Sequence, residues 1–395
     1  MKDLYLIKIG EIALKKGNKK LFEKQLKDNI KKNLKPYGSQ VIIRSGRFYL
    51  EVEDVPEEVV SSVLSTTFGI VGFYKTLSCT KELEPIGELA LTLAKLNIDS
   101  GRGNKFKVET RRIDKSLPMD SYEYSREIGG IIFEGIEGLE VDVRNPDWII
   151  HVELREKAYV YGYGVQGPGG LPVSTAGRGT LLLSGGIDSP AAGYLMAKRG
   201  LKLDAVYFHT PPYTSNEAHE KVKQLAGIIA PWCSGINLLS VPFTDVQVKI
   251  NQSVEPSYTT LHARAAMMKI AEMITRERNG GCLVTGEALS QVASQTMESL
   301  AFTNRAVTLP VFRPLVGMDK EEIIKISRRI GAFETSTLPY DDCCAMFAPQ
   351  HPETRPNFEK TTNMFEAIDF GDLLEEAASK AERTWFPANG NLIQK

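Results

Sequence analysis

Cysteine is scarce in this chain: Cys79, Cys233, Cys282, Cys343 and Cys344 are the only five in 395 residues, and none falls in a CxxC or a paired Cys/His spacing. So few thiols, odd in number, argue against a disulfide framework and give a structural zinc site no support. Long apolar runs are missing too. Nothing approaches the roughly 18 residues of a membrane-spanning helix, and Met1-Lys-Asp-Leu-Tyr-Leu-Ile7 is too briefly apolar for a signal peptide. The expectation is a cytoplasmic protein with no membrane partner. A Walker-type GxxxxGK[ST] is absent, which argues against ordinary γ-phosphate hydrolysis. There is no internal repeat, no low-complexity tract and no charge excess, the net charge being −1.

What is present is ordinary in bulk and uneven in detail. A composition 42% hydrophobic and 25% charged supports a sizeable core, and 395 residues argue for two or three domains. Before Pro36, eleven lysines (Lys2, Lys8, Lys15, Lys16, Lys19, Lys20, Lys24, Lys27, Lys31, Lys32 and Lys35) face only Asp3, Glu11, Glu23 and Asp28. Such a run fits either a solvated helix face or a surface for nucleic-acid phosphates.

Periodicity divides the chain. Leu4–Ile9 reads as a strand, Lys19–Leu34 as a helix, and Gln40–Ile43 with Arg47–Val52 as strands joined by the turn Ser45-Gly46. A second α+β unit follows, with helices at Pro56–Leu64, Ile86–Leu96 and Ser121–Ile132. Its strands are Thr67–Ser78, Lys105–Thr110 and the hairpin Trp148–Leu154 with Ala158–Tyr163. The stretch from Gly164 to Gly179 is rich in glycine and proline and reads as a linker. Beyond it, strands at Thr180–Leu183, Asp204–Phe208, Ile236–Val241 and Gly281–Thr285 alternate with helices at Ala191–Arg199, Glu217–Ile229 and Ala263–Arg278. That alternation predicts an α/β, doubly wound parallel sheet. The expected domains are 1–56, 57–165 and 179–395, with a linker at 166–178.

The sharpest signal is Leu181-Leu-Leu-Ser-Gly-Gly-Ile-Asp-Ser-Pro190. A buried strand runs into Ser184, Gly185 and Gly186, and a helix opens near Pro190, which a first helical turn accepts. Glycines let the backbone approach a ligand, and successive N–H groups with the helix dipole attract an anion. Ser184 and Ser189 add hydroxyl donors. Asp188 repels phosphate, so its expected partner is Mg2+ accompanying ATP, and no other metal is expected. The pattern resembles the PP-loop of ATP pyrophosphatases, which cleave between the α and β phosphates and transfer AMP. Gly162-Tyr-Gly-Val-Gln-Gly167 also matches GxGxxG, but Pro168-Gly169-Gly170 follows where a helix is required.

Asp341-Asp-Cys-Cys-Ala-Met-Phe-Ala-Pro349 lies in a polar, proline-bounded segment. Sulfur chemistry needs an exposed, partly ionised thiol, and Asp341 and Asp342 oppose ionisation, so basic help must come from elsewhere, such as Arg355. Cys282 sits in an apolar strand and reads as core.

Together these segments resemble the tRNA 4-thiouridine synthetases (the ThiI family). The matching motifs are Gly10-Glu-Ile-Ala-Leu-Lys-Lys-Gly-Asn18 with Phe22, Arg112-Ile-Asp-Lys-Ser116 with Ser121 and Glu123, Leu182–Pro190, Phe208–Ser215, Arg313–Lys320 and Tyr340–Cys344. The resemblance implies ferredoxin-like and THUMP α+β domains that bind tRNA, followed by a PP-loop domain. This last domain adenylates O4 of uridine 8, and a cysteine persulfide then displaces AMP at C4. It further implies that Leu182, Leu183, Tyr207 and Phe208 seat the nucleotide, with Arg264, Gly286 and Gln295 as further ATP contacts. Asp188 and Lys320 serve adenylation. Cys344 carries the sulfur, with Cys343 as the alternative carrier or a resolving partner. Lys15, Lys16, Asn18, Lys19, Arg112 and Lys115 contact tRNA. The chain resembles the short form, without the rhodanese-like domain some members carry. Sulfur is then expected from a cysteine desulfurase, while a homodimer and a thiamine role stay open. The competing reading, a PP-loop ligase or amidotransferase acting on a small molecule, leaves the first 165 residues and the cysteine pair without work.

Overall fold

The computed structural model describes residues 2–37, 39–44, 47–340 and 352–389. Cys343, Cys344 and the turn at Ser45-Gly46 lie outside the described residues. In the first part of the chain the main elements are β1 (Lys2–Ile9), α1 (Lys19–Asn33), β2 (Ser39–Arg44), β3 (Arg47–Glu53), α2 (Glu57–Thr66), β4 (Ile70–Cys79), α3 (Leu83–Asp99), β5 (Lys105–Arg112), α4 (Ser121–Gly135), β6 (Glu140–Val141), β7 (Trp148–Leu154) and β8 (Ala158–Gln166). Then come β9 (Arg178–Leu182), α5 (Asp188–Lys198), β10 (Lys202–His209), α6 (Asn216–Ile229), β11 (Ile236–Pro242), α7 (Thr244–Ser253), α8 (Thr259–Glu277), β12 (Leu283–Val284), α9 (Met297–Arg305), β13 (Val311–Phe312), α10 (Lys320–Arg329) and β14 (Glu382–Phe386).

Two compact units result. One holds residues 1–14, 34–65 and 69–169. Its strands form one mixed sheet in the order β2-β3-β1-β4-β8-β7-β5-β6. Inward residues Phe106, Val108, Ile150, Val152 and Val160 pack beneath α3 and α4 against Ile86, Ala90, Ile128 and Ile132. Strand β6 pairs with β5 only at Lys105 and Phe106. Along the rest of that edge α4 supplies the acceptors: Ser125 Oγ takes the Thr110 N–H at 3.0 Å and Ser121 Oγ the Arg112 N–H at 3.3 Å. A four-residue spacing on one helix thus satisfies two edge donors that would otherwise be orphaned.

The other unit holds residues 15–33, 66–68 and 170–395. Its sheet runs β13-β12-β9-β10-β11-β14, parallel throughout except that β14 is antiparallel to β11. Alternation along the buried strands feeds two cores. Leu181, Leu203, Ala205 and Leu238 face α5 and α6, while Val206, Phe208, Leu239 and Val241 face the α7 and α8 side. Helix α1 belongs here by its contacts. Asn29 Nδ2 donates to Val173 O at 3.1 Å and Lys32 Nζ to Ser234 O at 2.9 Å. Phe68, from the short piece at 66–68, packs against Tyr194 and Trp232.

Candidate active site

Strand order reverses between β9 and β12: the chain proceeds from β9 to β10 and β11 on one side, then crosses to β12 on the other. Ligands of open α/β sheets bind at the carboxyl ends of strands at such a switch point. The Ser184–Ser189 loop leaves β9 there, and α5 begins at Asp188 with Pro190 in its first turn. Ser189 Oγ accepts the Ser184 N–H at 2.9 Å and lies 3.1 Å from Ser184 Oγ, so the loop closes on its own hydroxyls. Gly286, just past β12, packs on the start of this helix. A Cβ there would lie 2.7 Å from Ser189 N and 2.8 Å from Asp188 C, a contact only glycine permits.

The loop rims a cavity of about 250 Å³. Of the twelve residues expected to hold ATP, ten line it: Leu182, Leu183, Ser184, Asp188, Ser189, Tyr207, Phe208, Arg264, Gly286 and Gln295. Gly185 and Gly186 stand in the loop but are not lining residues. Arg264, Met267 and Met268 reach the cavity from one face of α8, as spacings of three and four on a helix dictate. The same cavity is lined by Thr285 and by a buried carboxylate that was not expected, Glu287. Glu287 accepts from Arg264 Nη2, from Arg313 Nε at 2.7 Å and from Thr285 Oγ1 at 2.8 Å. Burial pushes the Glu287 carboxyl up, but the two guanidiniums outweigh it and hold it below the usual carboxylate range. The available signal was an acid three residues beyond a short apolar strand.

Lys320 sits at the first position of α10, behind Asp319, which caps that helix in a reciprocal box with Glu322. A cation is unfavourable at a helix N-terminus. Its ammonium instead meets Asp188 across 132 residues, Nζ lying 3.0 Å from Oδ1. Gln291 Nε2 reaches the other oxygen, Oδ2, at 2.8 Å. Asp188 with the hydroxyls of Ser184 and Ser189 offers the hard oxygen donors that Mg2+ takes, so these residues fit that ion. Among the described residues no group of three or more His, Cys, Asp or Glu could hold a metal.

The described thiols are poor nucleophiles. Burial raises Cys233 to about 12 and Cys282 to about 11, and Cys79 is also raised by burial. The segment leading to Cys343 and Cys344 departs from beside the loop. Ser336 Oγ donates to Gly186 O at 3.4 Å, and the buried Lys221 of α6 donates to Leu338 O at 2.8 Å and Tyr340 O at 3.4 Å.

The expected tRNA contacts divide. Lys16, Asn18 and Lys115 are exposed. Lys15 lies over the Phe22 ring at 5.0 Å, and Lys19 pairs with Glu23 at 3.5 Å. Arg112 spends one nitrogen on Leu117 O and Met119 O, at 2.9 and 2.7 Å, and so braces its own loop. A second cavity, about 1000 Å³, lies along β5 and α4 and was not expected. Lys8, Arg47, Lys107, Arg111 and Arg126 line it together with His151, Tyr122, Tyr161 and Phe133, and two carboxylates there, Glu153 and Glu109, pair with Arg47 and Lys107. Its residues come from strands far apart in sequence, which no local pattern announces.

A phosphate loop at the switch point of a parallel sheet, without a Walker lysine, defines an adenine-nucleotide enzyme of the PP-loop class. The chain belongs to the ThiI family. The family described as thiamine biosynthesis protein (ThiI) matches residues 174–370, the ThiI ferredoxin-like domain residues 4–74 and the THUMP domain residues 80–162. Among relatives, a probable tRNA sulfurtransferase of Caldanaerobacter subterraneus subsp. tengcongensis is 46% identical over 376 residues, covering 95% of this chain and 98% of that one. Another, from Clostridium kluyveri, is 44% identical over 383 residues, covering 97% and 99%. The crystal structure of a 4-thiouridine synthetase–RNA complex with bound ATP superposes with a TM-score of 0.92 at 35% identity, covering 98% of this chain and 100% of that one. PH1313 from Pyrococcus horikoshii matches at 0.66 and 26%, covering 83% and 99%.

Proposed function

We propose that this chain is an ATP-dependent tRNA sulfurtransferase that converts a uridine, position 8 in the family, to 4-thiouridine. The observation that carries the reading is the complete Ser184–Ser189 loop at the switch point, bordered by the segment that leads to the cysteine pair. Uridine O4 attacks the α-phosphate and pyrophosphate leaves. The α5 N-terminus, the serine hydroxyls and Lys320 hold the phosphate oxygens, and Arg264, fixed by Glu287, closes the nucleotide side. Magnesium, when bound near Asp188, supplies neutralisation of the triphosphate charge. The terminal sulfur of a persulfide on Cys344 then attacks C4 and AMP departs, a far better leaving group than a carbonyl oxygen. Cys344 lies eight residues beyond Ser336, a reach of at most about 27 Å, so it can serve the loop. Cys343 is the neighbouring thiol that can release the product sulfur through a disulfide.

The basic and aromatic cavity beside β5 supports RNA binding, because cations take phosphates and rings take unstacked bases. The exposed lysines of α1 support a second phosphate contact. A cysteine desulfurase is the class of sulfur donor this scheme needs. No described helix is long and apolar enough to cross a membrane, and we place the enzyme in the cytoplasm.

The test is a thiolation assay with unmodified tRNA, Mg-ATP and a desulfurase, comparing wild type, Cys343→Ser and Cys344→Ser. Sulfur transfer lost in Cys344→Ser, with a stoichiometric release of pyrophosphate retained, supports the scheme. Wild type that forms AMP but never thiolates tRNA sinks it in favour of a small-molecule ligase.

A further inference from the structure

Gln291 lies outside the expected nucleotide contacts, yet it touches the carboxylate at the centre of the site. It belongs to a loop closed on itself after β12. Ser290 N donates to Gln295 O at 2.8 Å, Gln291 N to Ala288 O at 3.3 Å, and Leu289 N to Val316 O at 3.1 Å. Ser290 at the turn takes a φ of 62°, a left-handed conformation uncommon outside glycine. The turn presents the Gln291 amide to Asp188, with Nε2 2.8 Å from Oδ2. A carboxylate only accepts hydrogen bonds, so the amide nitrogen is the atom that faces it.

Asp188 therefore has two anchors of different kinds. Lys320 is a charged group on a flexible stem, its side chain 48% exposed. Gln291 is neutral and issues from a loop pinned by its own backbone. A triphosphate arriving at the α5 N-terminus attracts Lys320 and removes its charge from Asp188; it exerts no comparable pull on an amide.

We propose that Gln291 is a positioning residue: it keeps the Asp188 carboxylate aimed at the metal-bearing nucleotide when Lys320 turns to the phosphates. This rests on the Mg-ATP reading of the loop. It separates nucleotide binding as such from binding of the metal-loaded nucleotide, which depends on the direction of one carboxylate.

The experiment uses the full chain with Gln291→Leu, which keeps the volume and removes the donor, and Gln291→Asn, which keeps the amide on a shorter stem. Calorimetry measures ATP binding with magnesium and with chelator, and pyrophosphate exchange is titrated with magnesium. In Gln291→Leu the half-saturating magnesium should rise roughly tenfold, the scale of one hydrogen bond to a charged group. Metal-free ATP affinity should stay within about twofold, and Gln291→Asn should shift in the same direction. An unchanged magnesium requirement in Gln291→Leu overturns the inference. So does an equal loss of metal-free and metal-bound nucleotide with a lowered melting temperature, which would mark a packing role. If wild type shows no magnesium-dependent exchange, the loop reading falls and this inference with it; intact wild-type exchange with an unshifted Gln291→Leu overturns this inference alone.

Discussion

Replacing Gly286 by alanine should cripple adenylation while leaving the fold in place. The added Cβ would lie 2.7 Å from Ser189 N, 2.8 Å from Asp188 C and 2.9 Å from Ser189 Cα. All three are backbone atoms, so no rotamer change relieves the clash. The first turn of α5 must retreat from β12 by about 0.7 Å to regain ordinary contact. Overpacking of this kind costs about 1–3 kcal/mol, so the melting temperature should fall by roughly 2–12 °C. The catalytic loss is the larger effect, because the phosphate-facing N–H groups move with the turn. A displacement approaching 1 Å at reacting groups costs on the order of a hundredfold. Pyrophosphate exchange with tRNA, with far-ultraviolet circular dichroism to verify folding, reads both effects. Gly317→Ala is the control, since a Cβ there meets nothing within 4 Å. Exchange within about twofold of wild type in folded Gly286→Ala would refute the close-packing argument.

Two further outcomes are expected. His262 is fully buried among Tyr258, Phe302 and Phe365, with Nδ1 donating to Tyr258 O at 2.8 Å, and burial lowers its pKa. The unfolded chain takes up a proton below about pH 6.5 that the core refuses, so stability should be full above that value and fall by up to about 1.4 kcal/mol per pH unit below it. Thermal melts from pH 7.5 down to pH 5, with a shallower slope in His262→Phe, check this. If the lysines at and just before the start of α1 meet phosphates, tRNA affinity should drop steeply between 50 and 200 mM salt, and Lys15→Ala, Lys16→Ala and Lys19→Ala combined should reduce the log–log slope by about 2–3. A salt-independent dissociation constant would mean the lysines are only solvated.

The parallel sheet was legible because strand and helix periods alternate cleanly from β9 to β12, and the phosphate loop because its glycines sit between a strand and a helix. Of the ten expected nucleotide residues that line the cavity, Ser184, Asp188 and Ser189 were legible from that loop, and the other seven followed from the family resemblance alone. The rest was illegible for a physical cause, which is distance along the chain. Gln291 meets Asp188 across 103 residues and Arg313 meets Glu287 across 26. No local period encodes either pairing. Strand β14 was missed because Glu382-Arg-Thr-Trp-Phe386 is mostly exposed and shows no alternation. Helix α1 was recognised as a helix, but periodicity names the apolar face and never the surface that face will cover.

The membership of α1 has a practical consequence for dissecting the enzyme. An expression boundary drawn at the glycine- and proline-rich stretch would look natural, yet it would remove α1 and Phe68 from the very body it was meant to isolate. The truncated protein would expose the surface around Val173 and Ser234 and lose Phe68, which packs on both Tyr194 and Trp232. It should be recovered as aggregate, or not at all. Inactivity of such a fragment would therefore say nothing about whether RNA binding is needed for chemistry. By the same logic, residues 170–395 are not a self-contained cassette, because a helix encoded some 150 residues upstream completes their packing.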